Sequence, residues 1–136
     1  MTQEDKELLL KDLGARLQYK PHCRVFKLNE DIKENDDILY GIIGDNVITL
    51  KSDKDECLMY YQIKPYLRPM SSMTEEEKIE WCTRAYAPDE MKTIKEKLYV
   101  IQYNAEYAND FYNEHHFDYR GLIERGLALE APEGMY

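Results

Sequence analysis

Leu9, Leu10, Leu13 and Leu17 recur at spacings of three and four, which puts them on one face of a helix predicted over residues 2–18. Thr2 suits its N-cap, Asp5 sits three residues on as a capping-box partner, and Glu4, Asp5 and Glu7 favour the positive end of the helix dipole. Pro21 ends this pattern, and the period changes. Residues 22–28 read as a strand, 29–37 as a charged loop and 38–43 as a β-rich run. Gly44, Asp45 and Asn46 then supply a tight turn, because these residue types tolerate left-handed backbone. Residues 47–50 form the return strand, 52–55 a second polar turn, and 57–63 a further strand. Gly41, inside a strand, marks a bend or bulge. Four short strands joined by brief turns predict an antiparallel meander curled into a small barrel, with an SH3- or Sm-like barrel as one form it could take.

Pro65 and Pro69 break the alternation, so residues 65–73 read as an apolar strap between two halves. Thr74 then opens a helix that runs to about Ala85, with Glu77 completing a capping box and Glu75 and Glu76 in the first turn. Met91, Ile94, Leu98 and Ile101 favour helix over 90–103, although residues 98–103 are equally strand-like in composition. Residues 104–116 are helical, with Ala105, Ala108, Phe111 and Tyr112 on one side. Asp118 is placed to cap a short helix through Arg125, with Gly126 at its C-terminal end, and residues 127–136 read as extended. The fold class is α+β, organised as 1–70 (helix plus small antiparallel unit) and 71–136 (helical unit packed on it), or as one compact domain.

Charge narrows the choice of partner. Residues 1–70 carry 11 Lys and Arg against 13 Asp and Glu, and residues 71–136 carry 7 against 14, so nets of −2 and −7 make up the −9 of the chain. An acidic field repels phosphate backbones, which disfavours nucleic acid. Twelve tyrosines against three phenylalanines and one tryptophan suit shallow cores and contact surfaces. Cys23, Cys57 and Cys82 are odd in number and widely spaced, so neither a disulfide framework nor a zinc site is supported. The opening MTQEDKELLL lacks the features of a signal peptide, and no apolar run approaches a membrane span. The expected setting is cytoplasmic, with no membrane partner.

Three blocks are distinctive: residues 64–74 (KPYLRPMSSMT), 115–123 (HHFDYRGLI) and 126–132 (GLALEAP). Together with residues 8–13 (LLLKDL), they resemble an uncharacterised family of small proteins from gut Bacteroides genomes and their phage-like elements. The resemblance implies kinship and a mobile-element setting, and no activity. Residues 22–63 and 83–112 do not take part in it.

The chemistry-bearing residues concentrate in the same blocks. His115, His116 and Asp118, with Glu114 beside them, are metal-ligand types. Adjacent histidines on a helix point about 100° apart, however, and the spacing misses the two-histidine zinc motif. A structural reading has Asp118 as a cap, one histidine packed and one solvated. Tyr119 and Arg120 could form a recognition surface or an internal clasp, with Arg120 or Arg125 pairing to Asp118, Glu124 or the tail. Tyr60, Tyr61 and Tyr66 with Lys64 and Arg68 are the nearest approach to a nucleic-acid or peptide-binding face. His22 is badly placed to activate Cys23, since neighbours on a strand face opposite ways. Neither Gly41 with Gly44 nor Gly121 with Gly126 is followed by the Lys-Ser/Thr of a phosphate-binding loop.

The reading that follows is a non-catalytic accessory protein of a phage-like element that acts through protein contacts and needs no cofactor. Its candidate surface is Tyr60, Tyr61, Tyr66, Arg68, His115, His116, Tyr119 and Arg120. The alternatives are a metal-dependent hydrolase using His115, His116 and Asp118, and a nucleic-acid-binding small barrel. Self-association is left open.

Overall fold

The computed structural model describes residues 1–26, 35–51, 58–85 and 105–136 of the chain. The expected loop over 29–34, the turn over 52–55, Cys57 and the ambiguous segment 90–103 lie outside the described residues. Helix α1 spans Gln3–Arg16 and opens with the expected capping box: the Asp5 amide donates to Thr2 Oγ1 at 3.0 Å, and the Thr2 amide donates to Asp5 Oδ2 at 3.4 Å. Leu9 and Leu13 are fully buried, and a single 3₁₀ turn, Leu17–Tyr19, leads to Pro21.

Strands β1 (His22–Val25), β2 (Asn35–Ile43), β3 (Asn46–Thr49), β4 (Leu58–Met59), β5 (Ile63–Leu67) and β6 (Leu129–Glu130) form one sheet in the order β4-β3-β2-β1-β5-β6. All pairs are antiparallel except β5 with β6. The β2–β3 ladder shifts register between Leu39 and Gly41, which is the bulge expected at that glycine. Gly44, at φ +61°, makes the hairpin turn. Among the described residues the sheet is open, with β4 and β6 as its two edges, so the expected curling does not close into a barrel.

Three expectations are corrected. Residues 35–37 belong to β2 rather than to a charged loop. Asp37 is buried, and its carboxylate accepts the amides of Ile38 (2.8 Å) and Lys51 (3.2 Å). Asp36 accepts the Tyr66 hydroxyl at 2.7 Å. At Asp37 these amides replace the water that a buried carboxylate gives up.

Second, the strand expected over 57–63 is divided. A 3₁₀ turn at Tyr60–Gln62 separates β4 from β5, and β5 runs through Pro65 to Leu67, where a strap was expected to have begun. The Phe26 amide donates to the Gln62 carbonyl at 2.6 Å, which makes that pair hydrogen-bonded. Pairs alternate along an antiparallel ladder, so Pro65, opposite Cys23, occupies a position that needs no donor toward β1.

Third, residues 118–125 form successive turns rather than a helix. Gly121 adopts φ +74°, and the Asp118 carboxylate accepts the amides of Leu122 (2.7 Å) and Ile123 (2.9 Å). A left-handed residue at this point interrupts helical hydrogen bonding.

Helix α2 (Glu75–Ala85) starts as expected, with the Thr74 amide donating to Glu77 Oε1 at 3.1 Å and the Glu77 amide to Thr74 Oγ1 at 3.2 Å. Helix α3 spans Ala105–Glu114 and buries Ala108, Phe111 and Asn113. No helix among the described residues is long and apolar enough to cross a membrane. One apolar cluster joins α1 (Leu9, Leu13), the sheet (Cys23, Val25, Leu39, Val47, Ile63, Leu67) and the C-terminal turns (Leu122, Leu127, Ala128). Because Leu122 fills the same interior as Leu13, Leu122→Ala should cost about 2–5 kcal/mol in urea unfolding followed by circular dichroism, as Leu13→Ala should. A loss below about 0.5 kcal/mol, the range of surface substitutions, would show that the C-terminal turns are not part of this core.

Candidate functional site

The face of α1 that carries Leu9 and Leu13 also carries Asp12 and Arg16, and both of these are fully buried. Arg16 donates from Nε to Asp12 Oδ2 at 2.8 Å and from Nη2 to Oδ1 at 3.0 Å. Nη2 also reaches the carbonyl of Phe117. Arg120 donates from Nη1 to Asp12 Oδ1 at 2.8 Å, so one buried carboxylate holds two guanidinium groups. Arg125 reaches Asp5 (3.0 Å) and Glu4 (3.3 Å) at the start of the same helix. A clasp therefore exists, but the partners of Arg120 and Arg125 lie on α1 and not, as expected, within the C-terminal segment.

Arg68 is placed by the backbone on both sides. Its amide donates to the His116 carbonyl at 2.7 Å, and its carbonyl accepts the Asp118 amide at 2.8 Å. The guanidinium lies 4.3 Å from the Phe117 ring centroid and donates to both Glu77 oxygens, at 2.8 and 2.7 Å. This pairing holds the Glu77 carboxyl down at about 2, with the Thr74 amide adding to the effect. His115 lies against Phe111, with ring centroids 4.4 Å apart, and its Nδ1 is 3.6 Å from Glu77.

His116 adopts φ +61° and is buried. Its ring stacks on Tyr136 at 3.8 Å and 14°. Tyr136 is pinned in turn, since its hydroxyl donates to the Tyr66 carbonyl and accepts the His22 amide, both at 2.9 Å. Burial pushes the His116 imidazole down to about 4, and the positive charges of Arg16 and Arg68 act in the same direction.

These elements enclose a cleft of about 890 Å³. Arg68, Ser72 and Thr74 come from the β5–α2 connection, Glu77 from α2, Glu114, His115 and His116 from the end of α3, and Glu130–Glu133 and Tyr136 from the C-terminal segment. Of the eight candidate surface residues, Arg68, His115 and His116 meet at this cleft. Tyr60 and Tyr61 pack edge to face at the β4–β5 turn, with Lys6 over Tyr60. Tyr66 is buried beneath Asp36. Tyr119 stacks on Tyr112 at 5.1 Å, and Arg120 turns inward to Asp12.

His115, His116 and Asp118 do not form a ligand set. Asp118 spends its oxygens on backbone amides, and among the described residues no group of three His, Cys, Asp or Glu side chains could hold a metal ion. Lys64 lies 5.7 Å from the Phe26 ring, and Arg68 is paired with Glu77. Cys23 is buried, and burial drives its thiol up to about 12, the opposite of activation. Sequence reasoning missed Asp12 and Arg16, although their spacing from Leu9 and Leu13 marks them as inward-facing. It also missed Glu77 as more than a cap, and Glu130, Glu133 and Tyr136 as cleft residues. No protein-family model matches the chain, and neither a curated protein nor a solved structure matches it.

The depressed His116 value has a consequence for stability. The unfolded imidazole takes up a proton below about 6.5, whereas the folded one resists until about 4. This contribution is complete above pH 6.5 and is lost as pH falls toward 4, with a magnitude of about 1–3 kcal/mol. Urea midpoints at pH 7.5 and pH 5 should therefore differ more for the wild type than for His116→Asn, a replacement that tolerates the left-handed backbone. Equal pH slopes in the two proteins would contradict the assignment.

Proposed function

We propose that the chain is a non-catalytic accessory protein of a phage-like element and that it acts by protein contact through the cleft between the β5–α2 connection, the end of α3 and the C-terminal segment. The observation that carries this reading is the convergence of three sequence blocks on one concavity. Nine of the fourteen lining residues fall within 64–74, 115–123 and 126–132, the blocks that resemble the Bacteroides and phage-like family. Residues brought to one open surface from the 64–74 block and from the neighbouring 115–123 and 126–132 blocks are better accounted for by a shared contact than by packing alone.

The character of the lining supports the same reading. Part of it is fixed beforehand: the Arg68 guanidinium by Glu77, and the neutral His116 ring by Tyr136. A partner that meets pre-set side chains loses less conformational freedom on binding. The three carboxylates Glu114, Glu130 and Glu133 make the rim acidic, which disfavours phosphate-bearing partners.

The test is affinity capture from native lysate with the full chain as bait, set beside a Glu130→Arg/Glu133→Arg variant whose thermal midpoint is checked against wild type. The wild-type bait should enrich at least one protein, and the variant should lose it. A wild-type bait that enriches nothing, or a variant that enriches the same set, would contradict the proposal.

A further inference from the structure

The sheet packs one face on the apolar cluster. Cys23, Val25, Leu39, Val47 and Ile63 alternate inward, so Arg24, Ile38, Tyr40, Ile48 and Lys64 point the other way. On that outer face Tyr40 is 52% exposed and Ile48 41%, and Ile43 and Leu50 of the same hairpin are exposed as well. Apolar side chains gathered on one surface mark a contact site. The rim of this patch is basic. Lys20 lies 4.8 Å from the Tyr40 ring centroid, Lys64 lies 5.7 Å from that of Phe26, and Lys51 donates to the Asp36 carbonyl at 2.9 Å. Among the described residues none of these three lysines is paired with a carboxylate, whereas Arg24 is paired with Asp36. In a chain of net charge −9 this is a local reversal of sign.

The complementary surface is on helix α2. Glu77 and Trp81 hold that helix to the molecule, Glu77 through Arg68 and Trp81 by stacking on Tyr112. At 100° per residue Ile79 is centred on the opposite side, flanked by Glu75, Glu76, Cys82 and Thr83. Ile79 is 68% exposed, and its four neighbours are exposed too. Glu75 makes a 2.9 Å contact with Lys78, which water screens. One face of the chain is therefore apolar with a basic rim, and another is apolar with an acidic rim.

We propose that the chain associates head to tail with a second copy of itself, the β2–β3 face of one copy receiving the Ile79 face of α2 from the next. Ile79 meets Tyr40 and Ile48, and Glu75 and Glu76 meet the lysine rim, which is the arrangement of an apolar centre inside a polar border. Pairing two sheet faces instead would set lysine against lysine. A single-stranded nucleic acid would need open aromatic rings to stack its bases, but the patch is largely aliphatic and Lys20 covers one side of Tyr40. Because the two contacting patches differ, the copies join into a ring or an open chain rather than a twofold pair. Glu75, Glu76 and Ile79 do not line the cleft, so this contact and the cleft are separate surfaces.

Sedimentation equilibrium on the full chain tests the assignment. The weight-average mass should rise above that of a monomer between about 10 and about 500 μM, and rise less in about 1 M salt. Lys20→Asp/Lys64→Glu and Glu75→Lys/Glu76→Lys, each shown to be folded by circular dichroism, should associate at least tenfold more weakly on their own. An equimolar mixture of the two should associate again, because every contact between them then joins opposite charges. Ile79→Ser, which changes no charge, should weaken association at least threefold. A wild type that stays monomeric over that range, a mixture no more associated than its components, or an Ile79→Ser variant that associates as the wild type does would each overturn the proposal. So would saturable binding of a labelled oligothymidylate that Lys20→Asp/Lys64→Glu abolishes while the wild type stays monomeric, which would give the face to nucleic acid.

Discussion

One buried carboxylate, that of Asp12, holds two ends of the chain together. Arg16 and Arg120 both donate to it, and neither Asp12 nor Arg16 has any exposed surface. Desolvating such groups costs several kcal/mol per ion, and pairing restores it only when the geometry is complete. The contact therefore contributes more to selecting an arrangement than to net stability. An apolar pair would hold α1 to the core equally well, but it would not require Arg120 to be in one place. Arg16 adds a second constraint by reaching the Phe117 carbonyl, so α1 fixes the backbone on which His116, Phe117 and Asp118 sit.

From that point the cleft is assembled by successive short contacts. His116 and Asp118 bracket Arg68 through their backbones, Arg68 orients Glu77, and Glu77 ties the start of α2 beside His115. Tyr136 closes the other side by covering His116 and bonding to β1 and β5. Each link is local, yet together they bring residues 68, 77, 115 and 130–136 to one surface. Shifting any of them would change the shape of the cleft before it changed the fold.

What could be read in the sequence follows the range of the forces involved. The starts of α1 and α2 were legible because a capping box is complete within four residues. The Gly44 hairpin was legible because it depends on left-handed backbone, and the register shift between Leu39 and Gly41 falls where a glycine inside a strand had marked it. Asp36 and Asp37 looked like loop because their partners, Tyr66 and Lys51, lie far along the chain. Pro65 looked like a break because its harmlessness depends on its register against Cys23. The turns at 118–125 were read as a helix because Gly126 resembled a terminator while Gly121 was overlooked. Of the cleft, Arg68, His115 and His116 were flagged by residue type. Glu130, Glu133 and Tyr136 carried no local signal, since only tertiary structure places them there.

The dependence of the C-terminal segment on Asp12 is tested most directly by amide hydrogen exchange on Asp12→Asn under native conditions. The expected result is a loss of protection at Leu122, Ile123 and Leu127 together with that of α1, because the two regions share the buried carboxylate. Unchanged protection at those three amides, with α1 alone weakened, would contradict the account.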